Sequence, residues 1–155
     1  MSRNRKRDLT LFDYNNMVEF YHNESDRAAA VLAGSFAEHY TGIFLSEFAR
    51  NDRVVDQLFF SGPLSSFSAR INLAYAFNLI DTCLFKDLLL IKDIRNFFAH
   101  EPLHTSFHAS SVRGKCSNLS TRETSPEPRD QFLMAVGLAV GKMHNILLER
   151  EQIVK

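Results

Sequence analysis

Apolar residues recur at spacings of three and four through most of this chain, and the recurrence breaks where Gly, Pro, Ser and Asn gather. Ala29, Leu32, Phe36, Tyr40, Ile43, Phe44 and Glu47 predict a long helix from Ser25 to Arg50, with Ser25 or Asp26 as its N-cap. Gly34 and Gly42 fall inside it, each costing about 1 kcal/mol relative to Ala unless something packs closely there, so close approach of a neighbouring helix is expected at both. Ahead of it, Leu9, Leu11, Phe12, Met17, Val18, Phe20 and Tyr21 predict a short leading helix over residues 8–22. Residues 51–60 read as a break with one turn of helix, and Ser61-Gly62-Pro63-Leu64-Ser65-Ser66 is a turn before the next element, with Ser65 or Ser66 able to cap it.

Phe67, Ile71, Ala74, Tyr75 and Asn78 share one face and predict a buried helix over residues 67–80. Asp81 or Thr82 caps a further helix, about 82–99, that is apolar around most of its circumference and is therefore expected at the centre of the molecule. Pro102 ends it, because the residue before a proline is pushed out of the α region. Residues 103–129 lose any sustained period and read as a long, partly ordered surface loop. Phe132, Ala135, Val136, Ala139, Val140, Met143, Ile146 and Leu147 predict a last helix, about 129–152. With no repeat and no convincing strand, the expected architecture is all-α: a single-domain helical bundle spanning 1–155, of four main helices plus short ones.

At 155 residues the chain is long enough for one core without a disulfide or metal staple. Its 14 Phe call for a well-filled core or a buried oligomer interface, and a homodimer through a Phe-rich surface is expected. Eighteen basic and eighteen acidic side chains cancel, leaving no global field to attract a phosphate backbone. The one basic cluster, Arg3, Arg5, Lys6 and Arg7, reads as a flexible tail over residues 1–7. Cys83 and Cys116 do not make a metal-ligand pattern, and with no signal-peptide pattern and no run approaching about 18 apolar residues, a cytoplasmic protein outside the membrane is expected.

Gly-rich phosphate loops, nucleophile elbows and His-Glu-x-x-His helices are absent from the sequence. His100, His104 and His108 recur every four residues, but Pro102 interrupts any helix joining them; they read as loop histidines, and no metal or cofactor is expected. The unusual polar set is Arg95, Asn96 and His100. Arg95 and His100, five apart, are about 140° apart on an ideal helix, so the three converge only if the helix ends near Phe98 or a second subunit completes the set. Together they could handle an RNA phosphodiester: His100 moving protons, Arg95 balancing charge on the phosphate, Asn96 orienting the imidazole or a phosphate oxygen. On the residues alone the favoured alternative is structural: Arg95 pairs with Asp93, Glu101 or a helix C-terminus while His100 serves as a cap. Arg70, a charge early in a buried helix, is expected either to reach Asp81, Asp87 or Asp93 as an internal ion pair or, with Asp93, to support the pocket of Arg95.

Gly62 to Ala76, with Leu79-Ile80 and then Ile91 to His100, resembles the mannitol operon repressor family over about 40 residues, and the helix from Ser25 to Arg50 fits more loosely. That resemblance implies a negative regulator of transcription; as no DNA-reading helix or basic helix face is visible, regulation would run through a protein partner, with direct sequence-specific DNA binding not expected. Within the same stretch, Arg95-Asn96-Phe97-Phe98-Ala99-His100 resembles the Arg, polar, three variable residues, His signature of HEPN domains. This second resemblance implies a HEPN-like fold, RNA as a ligand, and metal-independent ribonuclease activity with Arg95, Asn96 and His100 as the active site.

Overall fold

The computed structural model describes residues 23–153 together with Asn16, Glu19 and Tyr21, and Asp52 by its backbone alone. The expected basic tail over residues 1–7 and most of the expected leading helix lie outside the described residues. Among these, six helices follow one another: α1 (Asp26–Ser46), α2 (Asp52–Phe59), α3 (Phe67–Ala76), α4 (Thr82–His100), α5 (Ser110–Cys116) and α6 (Pro128–Ile153). No described residue is in a strand.

Side-chain caps start the helices where the sequence offers them. Ser25 accepts from the Ala28 amide at 3.1 Å, Ser66 from Ala69 at 3.2 Å, and Asp81 from Leu84 at 2.7 Å. Each satisfies an amide that the first helical turn leaves without a partner. Residues 51–60, expected to hold one turn, form the eight-residue α2, whose N-cap Asn51 accepts from the Arg53 amide at 3.0 Å.

α3 ends at Ala76, four residues before the expected boundary. Asn78 turns left-handed with φ 57°, and the Leu79 amide returns to Ala74 O at 2.9 Å while that of Asn78 reaches Tyr75 O at 3.0 Å. Asn tolerates this conformation at modest cost, so the chain stops a helix without glycine. Asn78 is consequently exposed instead of on the buried face.

α1 packs on both α4 and α6, and pairs along its length set the directions. Asp26 meets Arg129, Tyr40 meets His144, and Glu47 O accepts from Arg150; α1 and α6 therefore run parallel. Arg27 donates to Leu103 O whereas Glu38 meets Arg95, so α4 runs antiparallel to α1. The core between them includes Ala30, Ala33, Ala37, Phe44, Leu88, Ile91, Ile94, Phe98, Phe132, Val136 and Met143. Phenylalanine goes mostly inward: of those described, Phe60 and Phe77 are exposed.

Residues 103–129 differ from the expected surface loop. They contain α5, and Phe107, Val112, Cys116 and Leu119 enter the core. Asp87 of α4, itself buried, accepts from both the amide of Ser120 at 2.9 Å and its hydroxyl. Asp26 accepts from the Phe107 amide at 2.9 Å. Irregular spacing hid this segment because its apolar residues drop singly into gaps between helices already formed.

Candidate functional site

Glycines of α1 define the most charged part of the interior. Gly34 and Gly42 are eight positions apart with Glu38 midway, so all three share one stripe of the helix. A Cβ at Gly34 would lie 2.5 Å from Cβ and Cγ of Arg95, and one at Gly42 would lie 3.0 Å from the guanidinium carbon of Arg70. The close approach expected at both glycines is thus made by two arginine side chains, from α4 and α3.

Arg95 Nη2 donates to Glu38 Oε2 at 2.6 Å, with the two side chains 18% and 25% exposed. Its guanidinium also stands 5.9 Å from the ring centre of Phe67. Its Nε is enclosed and has no hydrogen-bond partner among the described residues. Arg70 is more deeply placed, 5% exposed. It donates from Nε to Leu64 O at 3.0 Å, from Nη1 to Glu38 O at 2.8 Å, and from Nη2 to Phe59 O. Burial pulls its proton affinity below the ordinary arginine value, and the nearby Glu38 carboxylate works against that shift. Glu38 thereby serves both arginines, through its side chain for Arg95 and its carbonyl for Arg70.

The expected ion pair of Arg70 with Asp81, Asp87 or Asp93 does not form. Asp81 caps α4, Asp87 holds Ser120, and Asp93 is paired with its neighbour Lys92 at 3.2 Å with its side chain 45% exposed. Three carbonyls, one in a turn, one at the end of α2 and one within α1, satisfy the guanidinium's fork of donors, which one carboxylate could not do in this position.

Nor do Arg95, Asn96 and His100 converge within the chain. α4 does not end near Phe98: it continues through His100, and the Glu101 amide still closes onto Phe97 O at 2.9 Å. His100 is exposed, Asn96 is half-buried, and Arg95 turns inward to Glu38, on a different face from His100. Among the described residues neither Asn96 nor His100 makes a side-chain hydrogen bond. His108 pairs with Glu127 at 3.3 Å, and no described group of three His, Cys, Asp or Glu is close enough to hold a metal ion.

Glu38 is the residue that sequence reasoning passed over. An acid midway between two helix-interior glycines was the available signal, since small residues on one stripe mark where a neighbour's long side chain can enter. Chemically, the cluster has the residue types of an anion site, but most of its donors are already used by the protein's own carbonyls and carboxylate.

The same helical fold occurs in solved bacterial structures. A possible transcriptional regulator, YggD of Shigella flexneri, superposes with a TM-score of 0.69 at 16% identity, covering 87% of this chain and 97% of that one. The structure of the MtlR–HPr complex of Escherichia coli matches with a TM-score of 0.65 at 16% identity, covering 84% of this chain and 98% of the matched chain. The chain belongs to the mannitol repressor family, whose model matches residues 26–152. No curated protein sequence matches it.

Proposed function

We propose that this protein is a negative regulator of transcription that acts in the cytoplasm by binding another protein and does not read DNA itself. The observation that carries this reading is the family match over residues 26–152 on a fold that, in the Escherichia coli relative, is found in complex with HPr. The balanced charge, eighteen basic against eighteen acidic residues, supplies no global field to draw a DNA backbone, and along the sequence the Lys and Arg of the described helices are spread over all six. Titration calorimetry of the full chain with purified HPr, alongside a gel-shift with promoter DNA, tests it. Saturable protein binding without a sequence-specific shift is expected; a tight specific shift by the chain alone would overturn the mechanism.

The HEPN-type ribonuclease reading asks for Arg95, Asn96 and His100 at one phosphodiester. Arg95 is spent on Glu38 and His100 lies on another face of α4, so no distance in the chain favours it. RNA incubated with the protein in a chelator is expected to stay intact, and cleavage that disappears in His100→Ala would restore the enzyme.

A further inference from the structure

We propose that Asp87 and Ser120 form a charge-operated latch: a phosphoryl group placed on the Ser120 hydroxyl frees α5 from α4. This goes beyond the regulatory reading and does not depend on it.

Asp87 is an anomaly in the core. It stands on the inward face of α4 with Leu84, Leu88 and Ile91, 4% exposed, yet no Lys, Arg or His among the described residues pairs with it. A buried carboxylate is ordinarily matched by a cation. Here both oxygens accept from one residue, Oδ1 from the Ser120 amide at 2.9 Å and Oδ2 from the Ser120 hydroxyl. Asp26, the other carboxylate that holds this segment, keeps Arg129 at 2.8 Å besides the Phe107 amide. Lys86, next in sequence to Asp87, is exposed on another side of the helix.

Ser120 is where the outside reaches this charge. It is exposed, on the irregular turn after α5, with the buried carboxylate beneath it. Phosphoryl transfer from a nucleoside triphosphate, carried out by a protein kinase, joins phosphorus to Ser120 Oγ, breaks the bond to the departing nucleoside diphosphate and passes the hydroxyl proton to the kinase's base. The hydroxyl donor is then gone, and about two negative charges stand against Asp87. Adjacent anions are not tolerated in a buried site that lacks a cation, so Ser120 leaves it. Arg122, two residues on, offers the phosphate a partner at the surface: its side chain is 54% exposed and held by its neighbour Glu123 at 3.4 Å.

α5 is built to yield. Its N-cap Ala109 supplies no side-chain bond, and Gly114 within it has nothing within 4 Å, so little inside this short helix keeps it wound. On either side the chain stays tied: Asp26 holds Phe107, and Gln131 donates to Arg122 O and Ser125 O. The strap between them lifts from α4 with its ends in place, uncovering Val112, Cys116 and Leu119, all buried in the latched state.

Cys116 reports the latch. In a Cys83→Ser background it is the single thiol, and its reaction with an Ellman-type reagent at neutral pH follows the opening of α5. Phosphoserine incorporated at position 120, and separately Ser120→Glu, are each expected to speed that reaction about tenfold or more. Hydrogen exchange is expected to quicken over residues 110–120 while α1 and α6 keep their protection. Ser120→Gln, equal in size to Glu but able to donate to Asp87, is expected to raise the rate less, and Asp87→Asn is expected to abolish the difference between the two. Cys116 as protected with phosphoserine as with serine overturns the proposal. So does a Glu variant no faster than the Gln variant, a difference that survives Asp87→Asn, or a loss of helix by circular dichroism throughout the molecule.

Discussion

Arg95 and Glu38 meet at 2.6 Å over the bare Cα of Gly34, so one ion pair joins α1 and α4 only because a third residue has no side chain. Removing the acid leaves a half-buried guanidinium with nothing opposite it. Glu38→Ala is expected to lose about 1–3 kcal/mol, between the cost of an exposed pair and that of a buried one. Thermal melting by circular dichroism, where about 1 kcal/mol moves Tm by about 2–4 °C at this size, checks it; a melt unchanged in Glu38→Ala would show the pair to be ornamental.

Glycine substitutions separate seats from spare positions. Gly34→Ala drives a methyl to 2.5 Å from Arg95 Cβ and Cγ, close to the helix backbone where little can yield, and an overpacking loss of about 1–3 kcal/mol is expected. At Gly114 of α5 nothing lies within 4 Å, so Gly114→Ala is expected to raise stability by about 0.5–1 kcal/mol. Chemical denaturation of both variants decides the point; equal effects of the same sign would contradict the seating of Arg95.

Arg70 carries a larger expectation. Its three donors satisfy the carbonyls of Leu64, Glu38 and Phe59, which join the α2–α3 turn and the end of α2 to α1. Arg70→Met leaves the Leu64 and Phe59 carbonyls without this donor in a buried setting, at about 1–3 kcal/mol for each unsatisfied group, while Glu38 O stays within the α1 ladder; a fall in Tm beyond that of Glu38→Ala is expected. Arg70→Lys, with a single ammonium, is expected to recover only part. Full recovery by lysine would mean that charge matters there and the fork does not.

Stability is expected to fall in alkali. Burial pushes the Tyr21 phenol from 10.0 up to about 12 and the Cys116 thiol from 9.0 up to about 12. Both groups hold their protons more tightly folded than unfolded, so their contribution is complete below pH 9 and is lost as pH rises from 9 towards 12. A Tm profile over that range, repeated in Cys116→Val, tests the assignment: the variant should lose the earlier part of the decline.

Thiol chemistry gives an independent reading of the same burial. Cys83 is exposed and Cys116 buried. With an Ellman-type reagent at neutral pH, one thiol per chain is expected to react quickly and the second only on unfolding. Two rapid equivalents from the native protein would show that residues 103–129 open readily, contrary to their anchoring by Asp87 and Asp26.

What the sequence determined by itself was the local and periodic part of the molecule. Ser25, Ser66 and Asp81 cap helices because capping joins a side chain to an amide three residues on, and the all-α class and the family resemblance both sit in such short-range patterns. The tertiary structure decided everything that pairs residues far apart. Arg95 chose Glu38, 57 positions away, over the nearer Asp93 and Glu101, and Arg70 chose carbonyls over three available aspartates. α4 ran on to His100 where an earlier end would have gathered the polar set. Phe107, Val112, Cys116 and Leu119 became core without any period to announce it. A guanidinium takes the partner that the packed helices bring within reach and desolvate with it, and an apolar side chain takes the gap that others leave; neither choice is written in the spacing of the residues that make it.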